Sequence, residues 1–204
     1  VLAENKIRFT ILSPHQAARF RKIGDEEWTE TPEGKIDPRN VYLCNLPSGN
    51  RLCLFFFDKR TASDIAFGNL LESGEAFAKR LVDAFSDQNS EELLESVASD
   101  GELYGHHHPH GDMTLAYCLY YIEAKKLAQI ANYAQYLEYH QPDFEVEIVE
   151  NTSWSCTHGV ERWRNDCGCN TGLKPGWNQA WRKPLREAMD WLRDQLSGKY
   201  EKAA

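Results

Sequence analysis

The stretch Asp100-Gly-Glu-Leu-Tyr-Gly-His-His-His-Pro-His-Gly-Asp112 gathers three carboxylates and four imidazoles in one short run. It follows the apolar segment Leu93-Leu-Glu-Ser-Val-Ala98, which reads as a buried strand, and precedes a helical pattern from Met113 to Lys126. In α/β proteins, ligands bind where a strand hands over to a helix. Asp100 and Glu102 flank Gly101 and could divide acid–base work, one donating a proton to a leaving group while the other carries charge. A plainer role for Asp100 is to cap the following turn or helix. His106, His107, His108 and His110 could bind a metal, hydrogen-bond a sugar or other diol, or exchange protons. Adjacent side chains of an extended chain face opposite ways, so one or two, with His106 and His107 as candidates, are expected to meet a ligand.

A second constellation is Cys156-Thr-His158 with Cys167-Gly-Cys169. Three cysteines and a histidine form a known structural zinc set, although the usual knuckle separates its cysteines by two residues and these pairs are separated by one. Packed free thiols and a disulfide are the alternatives. Trp154, Trp163, Trp177 and Trp181 lie in the same Gly-, Asn- and Arg-containing region. Indole faces stack on sugar rings, and Trp154, just past a strand end, is expected to face a ligand.

The elements that must position these groups alternate between strand and helix. Lys6–Leu12 reads as a strand, then Pro14-His15-Gln16 and a short helix to Lys22. Residues 24–40 read as an excursion loop. Val41–Leu46 and Arg51–Phe57 flank Pro47-Ser-Gly-Asn50, a hairpin signal, and the second run is apolar enough to be covered on both faces. Helical patterns follow at 62–71, 75–85, 113–126, 132–140 and 184–196, with an alternating strand at Phe144–Val149. Strands alternating with helices predict parallel βαβ units, hence an α/β fold. His15, Asp58, Asp100 and Asn151–Trp154 each fall just past a predicted strand, so they are expected to converge on one face.

The bulk properties suit one domain over residues 1–204: 42% hydrophobic and 12% aromatic residues indicate a folded core. A formal charge of -8 argues against nucleic acid as a partner. No apolar run approaches the length that spans a bilayer, so no membrane is expected. The six irregularly spaced cysteines suggest a reducing, cytoplasmic compartment. Residue 1 is Val, and Val1–Lys6 reads like the end of a helix already under way, so a fragment of a longer protein is expected.

Together, Asp100-Gly-Glu-Leu-Tyr-Gly-His-His-His108 and Ser153-Trp-Ser-Cys-Thr-His-Gly159, with Ile11-Leu-Ser-Pro-His-Gln-Ala17, resemble glycoside hydrolase family 57. The similarity is to a bacterial subgroup described as α-amylase- or α-mannosidase-like and extends over essentially the whole chain. It implies the C-terminal portion of a (β/α)7 barrel, with parallel strands alternating with helices, and retaining chemistry by a hydrolase or transferase on α-linked glucan or related sugars. It also implies that Asp100 is the general acid/base, that no cofactor or catalytic metal is needed, and that an oligo- or polysaccharide is the substrate. His15, Asp58, Glu102, His106, His107 and Trp154 would then be substrate-binding. The family's nucleophilic Glu lies on a strand before the one at Lys6–Leu12, and no residue here matches it. His15-Gln16 follows a different strand from the family's His-Gln-Pro motif. The fragment is therefore expected to be inactive alone, to need the missing N-terminal half of the barrel, or to self-associate. The alternative is a zinc-stapled α/β binding module without catalysis, held by Cys156, His158, Cys167 and Cys169.

Overall fold

The computed structural model describes residues 1–86, 93–169 and 174–203. Among them the strands are β1 (Phe9–Leu12), β2 (Ala17–Lys22), β3 (Thr29–Glu30), β4 (Val41–Asn45), β5 (Arg51–Phe56) and β6 (Phe144–Ile148). The helices are α1 (Lys59–Phe67), α2 (Gly74–Asp83), α3 (Gly111–Ala124), α4 (Tyr133–Tyr139), α5 (Glu161–Arg164) and α6 (Arg182–Ala203). The chain divides into two units, Val1–Ile148 and Val149–Ala204.

The first unit is α/β, as the alternating pattern predicts. Its sheet has the order β1-β5-β4-β6-β2-β3 and is mixed. β1 pairs with β5, and β4 with β6, in parallel; the β5–β4, β6–β2 and β2–β3 pairs are antiparallel. The antiparallel β4–β5 pair follows from the short Pro47–Asn50 turn, since a parallel pair needs a much longer crossover. Period-two alternation then covers both faces of the hairpin. Tyr42, Cys44, Leu52, Leu54 and Phe56 pack on one side with Ala17, Ile36 and Val146, while Val41 and Phe55 pack against Tyr136 and Leu137 of α4. A separate apolar cluster joins Ile65, Leu71, Phe77, Ala78, Cys118 and Ile122 among α1, α2 and α3.

Two predicted elements differ. The helix expected after Gln16 is strand β2. A 3-10 turn at Pro14–Gln16, closed by a capping box from Ser13 to Gln16, ends at once in extended backbone at Ala17. Cross-strand pairing then holds β2: Arg19 and Arg21 reach Glu147 and Glu145 of β6, each at 2.8 Å, and both guanidinium groups lie over the Trp28 ring. The strand expected at Leu93–Ala98 is irregular chain. It touches the sheet at single points, with Leu94 N–H donating to the Arg39 carbonyl and Ser96 Oγ to that of Phe56. Polar Glu95 and Ser96 interrupt its apolar run, Glu95 bonding to the Asp58 side chain and Ser96 to the Phe56 carbonyl instead of forming a ladder.

The second unit is built differently. Asn151 adopts a left-handed φ of 59°, and Val160 N–H returns to its carbonyl, closing a loop. Gly159 lines the inside of this loop at φ +61°, where a Cβ would stand 2.0 Å from the Asn151 oxygen. α5 and α6 follow; residues 170–173 of the Trp- and Cys-rich segment lie outside the described residues. The predicted helix at 184–196 is the middle of α6, whose apolar Leu185, Met189, Leu192 and Leu196 are about half exposed. No helix among the described residues is long and apolar enough to cross a membrane.

Candidate functional site

Because β1 and β5 are parallel with Leu12 opposite Phe56, the chain leaves both at the same edge of the sheet. His15 and Asp58 follow those two ends, as the strand-end argument predicts. His15 Nδ1 is 2.8 Å from Ser13 Oγ, which fixes the ring beside the 3-10 turn. Asp58 N–H donates to the Ser96 carbonyl at 2.8 Å, bringing the chain that leads to Asp100 to the same edge. The fourth strand end does not share this register. β6 is parallel to β4 and therefore opposed to β5 and β1, so the chain leaves β6 at the other edge. Trp154 belongs to the second unit, where it is exposed.

Asp100 is exposed and occupies the N-cap position of a 3-10 turn at Gly101–Leu103, but its side chain makes no capping hydrogen bond. Its carboxylate is thus not committed to holding the turn. Glu102 is exposed and lies 3.5 Å from His107 Nε2. The rings of His106 and His107 meet edge to face with centroids 4.8 Å apart, and both are exposed. His108 is directed elsewhere, with Nε2 3.3 Å from the Ala66 carbonyl. His110 takes a left-handed φ of 63° at the start of α3. Adjacent His106 and His107 thus lie together, with His107 against Glu102, while His108 is turned toward Ala66.

Asp58 is held by the backbone it caps. Its two carboxylate oxygens accept from Arg60 N–H and from Thr61 Oγ1, at the start of α1. Beside it lies a residue that the sequence pattern passed over, Glu95. Burial, then the charge of Asp58 and a hydrogen bond with it, push the Glu95 carboxyl up to about 8, while Arg39 and Arg80 partly offset this. Its Oε1 is buried without a hydrogen-bond partner. The neutral acid is therefore the form that the folded chain holds near pH 7, sharing its proton with Asp58. The available signal was a lone acidic residue inside the apolar run 93–98.

The second constellation assembles. The ligating atoms of Cys156, His158, Cys167 and Cys169 lie within 4.8 Å of one another. Cys156 Sγ is 3.5 Å from Cys169 Sγ and 3.6 Å from His158 Nδ1, and Cys169 Sγ is 3.3 Å from the same nitrogen. The Cys169 backbone N–H holds the Cys167 thiol below its ordinary range. Hydrogen bonding with Cys156 and Cys167 pushes Cys169 up to about 11. An open cleft of about 310 Å³ adjoins the cluster, with Asp166, Trp177, Asn178, Trp181 and Arg182 in its wall.

The described features define an α/β protein in which His15 and Asp58 follow the ends of two parallel, paired strands. Compared with solved structures, the chain is similar to the 4-alpha-glucanotransferase from Thermococcus litoralis, with a TM-score of 0.56 and 16% identity. That similarity covers 98% of this chain and 27% of that one, so the chain spans about a quarter of the enzyme's length. A family model described as a domain of unknown function, DUF3536, matches residues 177–204. This domain is found in glycoside hydrolase family 57 proteins. No curated protein matches the chain. The fold is accordingly α/β and similar to part of that enzyme's fold.

Proposed function

We propose that this chain is the acid-bearing portion of a retaining glycosidase or glycosyltransferring barrel that acts on α-linked glucan or a related sugar. Asp100 serves as general acid/base: it protonates the glycosidic oxygen as the bond breaks, then takes a proton from the incoming water or sugar hydroxyl. Glu102, His106 and His107 line the same open stretch and would hold sugar hydroxyls. His15, past the end of β1, would join them in holding the sugar. Asp58 contributes by fixing the start of α1 and by sharing a proton with Glu95. Retaining chemistry needs a second carboxylate about 5 Å from the first, and Asp58, held as a helix cap, is poorly suited to be a nucleophile. The reading therefore assigns the nucleophile to an upstream segment of a longer chain, in a cytoplasmic enzyme whose partner is an oligo- or polysaccharide.

The observation that carries this reading is Asp100 itself, exposed, in the turn that the motif occupies, with no capping bond to justify it structurally. Its test is Asp100→Asn in the longer chain. Turnover should fall about a hundred- to ten-thousand-fold with little change in thermal unfolding. Leaving groups that need no protonation should lose less at the first step, and azide should partly restore turnover. A destabilised but fully active variant would remove Asp100 from the catalytic role.

A further inference from the structure

We infer that Cys156, His158, Cys167 and Cys169 hold one structural zinc ion, a site that stands apart from the glycoside reading. A tetrahedral zinc with S at about 2.3 Å and N at about 2.0 Å sets its ligand atoms about 3.5–3.8 Å apart. The contacts among Cys156, His158 and Cys169, at 3.5, 3.6 and 3.3 Å, match that cage, and the Cys167 thiol lies within 4.8 Å of all three. The arrangement is not that of a disulfide, since Cys156 Sγ and Cys169 Sγ stand well beyond the bonded distance of about 2.0 Å. Nor is it that of thiols packed as small hydrophobes, because their neighbours are polar. Cys167 Sγ lies 3.4 Å from Gln179 Oε1 and 3.5 Å from Arg182 Nη1, and His158 is exposed.

The spacing that weakens the sequence signal is resolved by backbone geometry. Gly168 takes φ +79° between the two cysteines, and the loop closed by Asn151 and Gly159 presents Cys156 and His158. Outer contacts fit a zinc–thiolate centre as well. His158 N–H points at Cys156 Sγ at 3.4 Å. Three thiolates and one dication leave a net single negative charge, which the Arg182 guanidinium faces. Such partners orient and tune metal-bound sulfur. Binding releases the three thiol protons to solvent and leaves His158 neutral, with Nδ1 as the donor atom. A tetrahedral set of three sulfurs and one nitrogen favours zinc over harder ions. The ion would clamp the 151–160 loop to the 166–169 segment and so fix that wall of the cleft.

The test uses the full 204-residue chain purified without chelator. Elemental analysis should find one zinc per chain. Cobalt(II) exchanged into the protein should give the intense visible bands of a tetrahedral site and a sulfur-to-metal charge-transfer band. Cys167→Ser and Cys169→Ser should each remove about a third of that charge-transfer intensity and weaken zinc binding. Cys44→Ser and Cys118→Ser, whose thiols lie in apolar clusters of the first unit, should leave both signals unchanged. The inference is overturned by folded wild-type chain that neither contains zinc nor takes up cobalt. It is equally overturned by a disulfide within 156–169 in protein purified without oxidant, or by metal that survives the Cys167 and Cys169 changes.

Discussion

The two units hold themselves together by different physics. In Val1–Ile148, aromatic and aliphatic side chains fill three apolar clusters, with Phe55, Phe56 and Ile65 at most 1% exposed. In Val149–Ala204 no apolar cluster forms among the described residues. The buried positions are Ser153, Cys156, Gly159 and Gln179, while Trp154, Trp163, Trp177, Trp181 and Trp191 are all more than half exposed. A segment that small has too little interior to bury on folding, and small units of this kind commonly rely on a metal or a disulfide. The Cys/His cluster sits where a core would be. Burial is therefore the organising force in one unit, and in the other the proposed zinc would take that place.

Metal removal should separate the two most sharply. Chelation at neutral pH is expected to abolish the ordered fluorescence of the second unit, which carries five of the six tryptophans. Far-ultraviolet circular dichroism from the sheet of the first unit should persist. Simultaneous loss of both signals would show that the units are not energetically distinct. The converse change is Phe56→Ala, which empties a fully buried site packed on Tyr42 at 5.5 Å between centroids. It should cost about 3–5 kcal/mol in denaturant unfolding of the first unit and leave zinc content unchanged.

A smaller effect is expected from Gly159→Ala. The new Cβ would meet the Asn151 oxygen in a left-handed backbone. Strain of about 1–3 kcal/mol should open the loop and show as weaker metal binding, with the Tm of the first unit unchanged. A last test concerns the Asp58–Glu95 pair. Glu95 ionises near 4.5 when unfolded and at about 8 when folded, so the folded state binds the extra proton between those values. Its contribution is complete below about 4.5 and is lost as pH rises through about 8. Glu95→Gln, which remains neutral, should flatten the decline of Tm over that window. A wild-type Tm that rises steadily from pH 4.5 to 8, unchanged in the variant, would place the Glu95 proton elsewhere.

Much of the local structure was legible in the chain. The Pro47–Asn50 turn specified the β4–β5 hairpin, because a short loop between apolar runs permits only antiparallel pairing. The helices fell close to their predicted spans, and Asn132 caps α4 through Gln135 N–H. The histidine run was legible as a cluster, but the divergence expected of neighbours is not met, since the rings of His106 and His107 meet edge to face. Local sequence could not reveal that Ala17–Lys22 is a strand, because its partners Glu145 and Glu147 lie more than a hundred residues away. The direction of β6 was likewise hidden. It depends on which existing strands β6 joins, and those had already been reversed by the hairpin.

The chemistry divides along the same line. Sequence alone determined that Asp100, Glu102 and the histidines share one short run, because neighbours in one turn remain neighbours after folding; that Asp100 makes no capping bond came from the structure. Sequence also determined that three cysteines and a histidine were available as a ligand set. Only the tertiary structure decided that these four converge, because the turn at Asn151 and the left-handed Gly168 set the distances between separate segments. It alone decided that Glu95 keeps its proton, since that depends on burial and on the charge of Asp58, brought alongside by the chain path past β5. Spacing along a chain fixes short-range geometry, whereas desolvation and long-range contact arise only when distant segments share an interior.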